Sequence, residues 1–239
     1  MKKIIALLCL MAVAAALLIS CRGEVPAAEY TCSEASYYAE SDNCIFDIKY
    51  PVVSGTDSDE LICGLLYDAS LDYMNNYLLY SGAEGFCRYT IDSVTAYFQG
   101  EELASFLCVG SFISEGSTHP ESIVYALNLD PVNARLYSFD DLISDFDLLA
   151  DRFRSGKFRL INGDDGLLAQ TNYADMFIEY SSLYEIYPPI YFILEDGKTA
   201  LALSVELVYA LGGHAEFSID TDSVKSAFTD TLLHILNYQ

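Results

Sequence analysis

The sequence predicts an α+β domain, a mainly antiparallel sheet with helices packed on one face. Three observations carry that expectation. Short β-branched and aromatic runs recur between turn residues from residue 44 onward. Elsewhere apolar residues return at three- and four-residue steps, as on one face of a helix. No internal repeat or second tether interrupts residues 44–239, which read as one ectodomain. Hydrophobic residues make up 52% of the chain, enough to bury a core and too many for a disordered one.

The first element is an export signal. Met1-Lys2-Lys3 supplies positive charge, Ile4 to Ile19 is apolar and uncharged, and Ser20 precedes Cys21. The apolar run is shorter than the ~20 residues of a spanning helix. A small residue directly before a cysteine at this place resembles the bacterial lipoprotein lipobox. The resemblance implies cleavage after residue 20, acylation of Cys21 with chains such as palmitate, and a lipid anchor on the extracytoplasmic face of the envelope. Residues 21–43, rich in Ala, Glu, Ser and Tyr, then read as the lipidated cysteine and its tether.

Residues 44–50 alternate as a strand that Pro51 stops. Asp57 and Glu60 have capping spacing, and Ile62, Leu66, Ala69, Tyr73, Tyr77 and Tyr80 form one face of a helix ended by Gly82 and Gly85. Residues 87–98 and 103–113 read as a hairpin turning at 99–102, with Cys108 opposite Ser93. Residues 122–129 alternate as a fourth strand after a loop at 114–120. Leu142, Ile143, Phe146, Leu149, Ala150 and Phe153 predict one helix, with Asp140 and Asp141 at its start and Arg152 and Arg154 at its end, the order the helix dipole favours. Residues 156–166 read as a loop and 168–181 as a short helix. Residues 190–194 and 199–209 read as a hairpin around Gly197, and 215–219 as a strand. Val224, Phe228, Leu232, Ile235 and Leu236 mark a final helix.

Charge narrows the partners. The chain carries 12 Lys and Arg against 35 Asp and Glu, a net charge of −23, which becomes −25 once Lys2 and Lys3 leave with the signal. Such a surface repels nucleic acid and attracts basic partners. Cys32 and Cys44 flank a polar stretch and are a possible disulfide, whereas Cys63, Cys87 and Cys108 fall in core-like runs. Neither a CxxC pair nor a Cys/His cluster occurs, so no metal site and no cofactor are expected.

Several segments together resemble a known family: Tyr50-Pro51, Thr118-His119-Pro120-Glu121, Leu127-Asn128-Leu129-Asp130, Tyr137-Ser138-Phe139-Asp140-Asp141-Leu142, the stretch Tyr191 to Lys198, and Tyr209-Ala210-Leu211-Gly212-Gly213-His214. Over residues 45–220 the order of these motifs is similar to the extracellular domain of the lysozyme-sensing anti-sigma factor (RsiV type), a domain that also accompanies some peptidoglycan deacetylases. The resemblance implies an isolated ectodomain on a lipid anchor, a binding module rather than an enzyme. Its ligand would be a basic protein such as lysozyme, or a cell-wall fragment.

The least scaffold-like residues are Thr118, His119, Pro120 and Glu121 in one loop, and Gly212, Gly213, His214 and Glu216 around another. These eight are the candidate ligand-binding residues. Two other functions remain open. An envelope-directed hydrolase or deacetylase would use the loop histidines with Glu121 or Glu216, and an assembly lipoprotein would bind an envelope protein. Nucleophile-elbow, P-loop and dinucleotide patterns are absent.

Overall fold

The computed structural model describes residues 29–41, 43–81, 85–168, 187–207, 210 and 212–238. The expected signal peptide, Cys21 and most of the expected 168–181 helix lie outside the described residues. The α+β class holds, but the strands form two sheets rather than one. Six strands run β1 Thr31–Glu40, β2 Cys44–Ser54, β3 Cys87–Gln99, β4 Ala104–Ser114, β5 Glu121–Asp130 and β6 Arg135–Tyr137, neighbours in that order. All pairs are antiparallel except β2 with β3, which helix α1 (Asp59–Ser81) joins as a crossover. The second sheet orders β7 Arg159–Asn162, β10 His214–Asp220, β9 Lys198–Glu206 and β8 Ile190–Glu195.

Side-chain parity stacks the layers. On one face of the six-stranded sheet Phe106, Cys108, Ile123 and Tyr125 pack with Ile62, Leu66 and Met74 of α1. Leu107, Val109, Val124 and Ala126 point the other way, onto Tyr191, Ile193, Ala200 and Ala202 of the second sheet. The far face of that sheet carries Phe192, Leu201, Leu203, Val205 and Phe217 under the remaining helices. These are α2 Phe139–Leu142, α3 Phe146–Arg154 and α5 Asp230–Ile235, while α4, Asp165–Leu168, adds buried Leu168. Helices therefore cover the outer face of each sheet.

Several expectations are corrected. Residues 31–40, expected in the tether, are β1, an edge strand with only Cys32, Ala35, Tyr37 and Ala39 half-buried, so its apolar alternation is weak. The Cys32–Cys44 disulfide does not fit the register. Cys32 lies opposite Val53, near one end of the β1–β2 ladder, while Cys44 lies at the other end, opposite Cys87 of β3. At the start of α1 it is the Asp59 carboxylate, rather than the expected Asp57 and Glu60, that ties down the turn, accepting from the Gly55 and Thr56 backbone N–H groups at 2.9 and 2.7 Å. Cys108 faces Val94 rather than Ser93, because Gln99 pairs with Ala104 rather than Glu102 and the bulge between Ala96 and Phe98 takes back one of those two positions.

The helix expected over 142–153 is broken. Ile143 leaves α2 to bridge Phe228, and Asp145 caps α3 through the Leu148 N–H at 3.0 Å. Residues 159–162, expected as loop, form β7. The final helix is two 3-10 turns followed by α5, although Val224, Phe228 and Leu232 are buried as expected. The β8–β9 hairpin turns on Asp196 and Gly197, both with positive φ, a two-residue turn in which glycine is unstrained.

Candidate functional site

Alternation gives the second sheet one apolar face and one unusual one. Toward the six-stranded sheet β9 presents Ala200, Ala202, Ser204 and Glu206, and β10 presents His214, Glu216 and Ser218. Register sets Glu216 beside Ser204 and His214 beside Glu206. A buried layer that is apolar at one end thus turns polar at the other. The polar end lies against the start of β5. Because β6 pairs only with Asn128–Asp130, residues 121–127 of β5 are an edge among the described residues.

A cavity of about 180 Å³ wraps this edge. Tyr73 and Tyr77 of α1, Tyr89 of β3 and Tyr125 of β5 line one side, and Ser204, Glu206, Gly213 and His214 the other, with Ser122–Val124 between. Tyr73 stacks on Tyr125 with centroids 4.3 Å apart. Tyr89 and Ser204 are 0% and 2% exposed, and neither hydroxyl has a hydrogen-bond partner among the described residues. Tyr125's hydroxyl, also deeply buried, lies beside Ser70 and Cys108 under α1. Polar groups buried this way are rare in folded proteins and expensive, so the hydroxyls of Tyr89, Tyr125 and Ser204, from facing sides of one cavity, single it out as the candidate site.

Charge at the mouth is negative. The Tyr77 hydroxyl donates to the Glu121 carboxylate. Glu206 stays exposed, but crowding by surrounding atoms and then the charge of Glu121 hold its carboxyl above the usual range. Among the described residues neither lysine nor arginine lines the cavity. Behind the wall Ser122 Oγ meets His214 Nδ1 at 2.9 Å, and His214 Nε2 lies 3.4 Å from Glu216 Oε1. Glu216 is buried and also accepts from Asn162 Nδ2 at 3.3 Å and the Tyr191 hydroxyl at 3.2 Å. Burial alone would raise its carboxyl, yet the bonds from His214, Asn162 and Tyr191 outweigh that and hold it below the ordinary value.

Of the eight sequence-predicted residues, Glu121, Gly213, His214 and Glu216 come together here. Gly213 has φ +82, and a Cβ on it would stand 2.8 Å from that of Ser122, so the two strand ends approach because this residue is glycine. Gly212 is exposed beside it, and Leu211 lies outside the described residues. Thr118, His119 and Pro120 are exposed in the β4–β5 loop and do not line the cavity.

No family model matches the chain, and no curated protein matches it. In fold, the chain is similar to DUF3298 proteins. A member of that family from Bacteroides fragilis superposes with a TM-score of 0.50 at 14% identity, covering 91% of this chain and 100% of the other. A DUF3298 family protein from Pseudomonas aeruginosa gives 0.46 at 15%, covering 88% and 98%. At these identities the likeness concerns the fold alone.

Sequence reasoning missed Tyr89, Ser122, Tyr125, Ser204 and Glu206, and placed Tyr73 and Tyr77 on a helix face without assigning them to a site. One signal was available. Ser204, Glu206, His214, Glu216 and Ser218 share the parity of Ala200 and Ala202, so a strand pair this apolar on one face is polar on the other.

Proposed function

We propose that the protein is an envelope-anchored binding module whose ligand is a basic protein, held at the cavity around the β5 edge. The observation that carries this reading is the set of buried hydroxyls without a partner among the described residues, Tyr89 and Ser204 above all, beside the lining carboxylate of Glu206, with Glu121 held next to it through the Tyr77 hydroxyl. Hydroxyl acceptors under carboxylates suit a donor of positive charge, and the chain's −23 charge steers such a partner inward. The resemblance to the lysozyme-sensing ectodomain supports the same partner class. A cell-wall glycan is a poorer fit, because the cavity is smaller than the ~300–1,000 Å³ of usual small-molecule sites.

The test titrates full-length protein in detergent with lysozyme as the basic probe and an acidic protein of similar size as control. Affinity for lysozyme should fall steeply between low and physiological salt. Absence of capture, or capture indifferent to both salt and Glu206→Gln, contradicts the reading. The anchor has its own test: alkyne fatty-acid labelling should disappear in Cys21→Ala.

A second reading has one specific observation. Ser122, His214 and Glu216 form a hydroxyl–imidazole–carboxylate chain, the kind of array that activates a serine nucleophile. Turnover of muropeptides or chitin oligomers that vanishes in Ser122→Ala would favour an envelope hydrolase.

A further inference from the structure

We infer that the cavity seats a single ammonium or guanidinium head carried on an aliphatic stem, the Lys or Arg side chain of a partner. The inference rests on the binding-module reading and deepens it. Tyr73, Tyr77, Tyr89 and Tyr125 contribute rings to the wall, and aromatic walls attract cations through their quadrupoles. Burial raises the Tyr89 phenol, so it stays a neutral hydroxyl whose oxygen accepts from an N–H donor. Ser204 Oγ offers a second acceptor, and the Glu206 carboxylate at the rim a third. A ligand head with several N–H donors can donate to all three oxygens at once. An anion meets Glu206 and Glu121, and a purely apolar group leaves both hydroxyls orphaned. With about 180 Å³ available, one side chain fits.

The test uses full-length protein in detergent and four probes of equal stem: n-butylammonium, n-butylguanidinium, n-butanol and butyrate, followed by NMR of labelled tyrosine rings. The two cations should bind saturably and perturb the cavity tyrosines, and the neutral and anionic probes should not. Glu206→Gln and Tyr89→Phe should each weaken cation binding by about tenfold, the loss of one hydrogen bond to a charged group. Equal response to all four probes, or unchanged cation affinity in both variants with their melting points intact, overturns the inference. Lysozyme capture separates the two levels. Capture that survives while the cations fail to bind removes the cation seat and leaves the binding module standing. Cation binding without capture of any basic protein supports the seat and removes the basic-protein partner.

A separate observation concerns the cysteines. Cys44 and Cys87 are register partners across the parallel β2–β3 pair, and their Sγ atoms are in contact at 2.7 Å. Adjacent strands lie ~4.8 Å apart, inside the Cα range a disulfide spans. The geometry points to a Cys44–Cys87 disulfide formed after export. The half-buried Cys44 thiolate attacks the disulfide of an envelope dithiol oxidase and expels one oxidase thiolate. Cys87, its proton passed to water, then displaces the second. Two electrons move from the cysteines to the oxidase, which leaves as a dithiol.

Peptide mapping of the exported, unreduced protein tests it. A cross-linked pair of peptides holding Cys44 and Cys87, separated by reductant, is expected, and oxidised glutathione should form the same link in reduced protein. Full alkylation of both cysteines in the unreduced, denatured protein, or a Cys32–Cys44 link, overturns it.

Discussion

Replacing Tyr89 by Phe removes one fully buried oxygen beside the cavity and should separate stability from function. The ring keeps its packing against Tyr77 (centroids 5.9 Å apart) in a fully buried position. The hydroxyl has no partner among the described residues, and an unsatisfied buried group costs about 1–3 kcal/mol. The net expectation is a gain of about 1 kcal/mol, or roughly 2–4 °C in Tm for a domain of this size. The same oxygen is proposed to accept from the ligand's cation, so affinity should fall by about tenfold. Urea unfolding and titration with butylammonium, run on one preparation, measure both. A Tyr89→Phe protein less stable than wild type by more than about 1 kcal/mol refutes the reasoning, since the hydroxyl would then have a structural partner.

Three more outcomes follow from the packing. Ser replacing Cys44 and Cys87 together should lower the stability of the oxidised protein by about 4 kcal/mol, the loop entropy of a closure spanning 43 positions, and leave the reduced protein nearly unchanged in urea titrations. Gly213→Val places a branched side chain where φ is +82 and the Ser122 Cβ would be 2.8 Å away, so lysozyme capture should be lost and Tm should drop. Asp130 accepts from the Val132 and Asn133 N–H groups and from Asn133 Nδ2, Tyr137 and Arg135; burial would raise its carboxyl, but these bonds outweigh it and hold it below the ordinary value. A depressed folded pKa gives stability that is present above the unfolded value near ~4 and is lost as pH falls through the folded one, so Asp130→Asn should flatten the acid limb of a Tm-versus-pH curve.

Particular elements show why some of this was legible. The long helix was readable because Ile62 and Leu66 repeat a three-to-four step that burial reinforces. The β8–β9 hairpin was readable because Gly197 supplies a turn conformation few residues tolerate. The single helix expected over 142–153 failed because periodicity is blind to capping: Asp145 starts a new helix within an unbroken apolar pattern. β1 was hidden because a strand exposed on its edge needs little apolar alternation. At the site, Gly213 and His214 stood out as punctuation and as a rare side chain. Tyr89 and Ser204 did not, since a tyrosine or a serine in a strand announces nothing until a neighbouring element leaves its hydroxyl without a partner.

Hydrogen–deuterium exchange of full-length protein with and without lysozyme bears most directly on the central claim. The account predicts slowed exchange in peptides spanning Glu121–Tyr125, Ser204–Glu206 and Gly213–Glu216, reduced in Glu206→Gln. Protection confined to the Thr118–Pro120 loop tip or the outer face of α1, with these three segments unchanged, would contradict it.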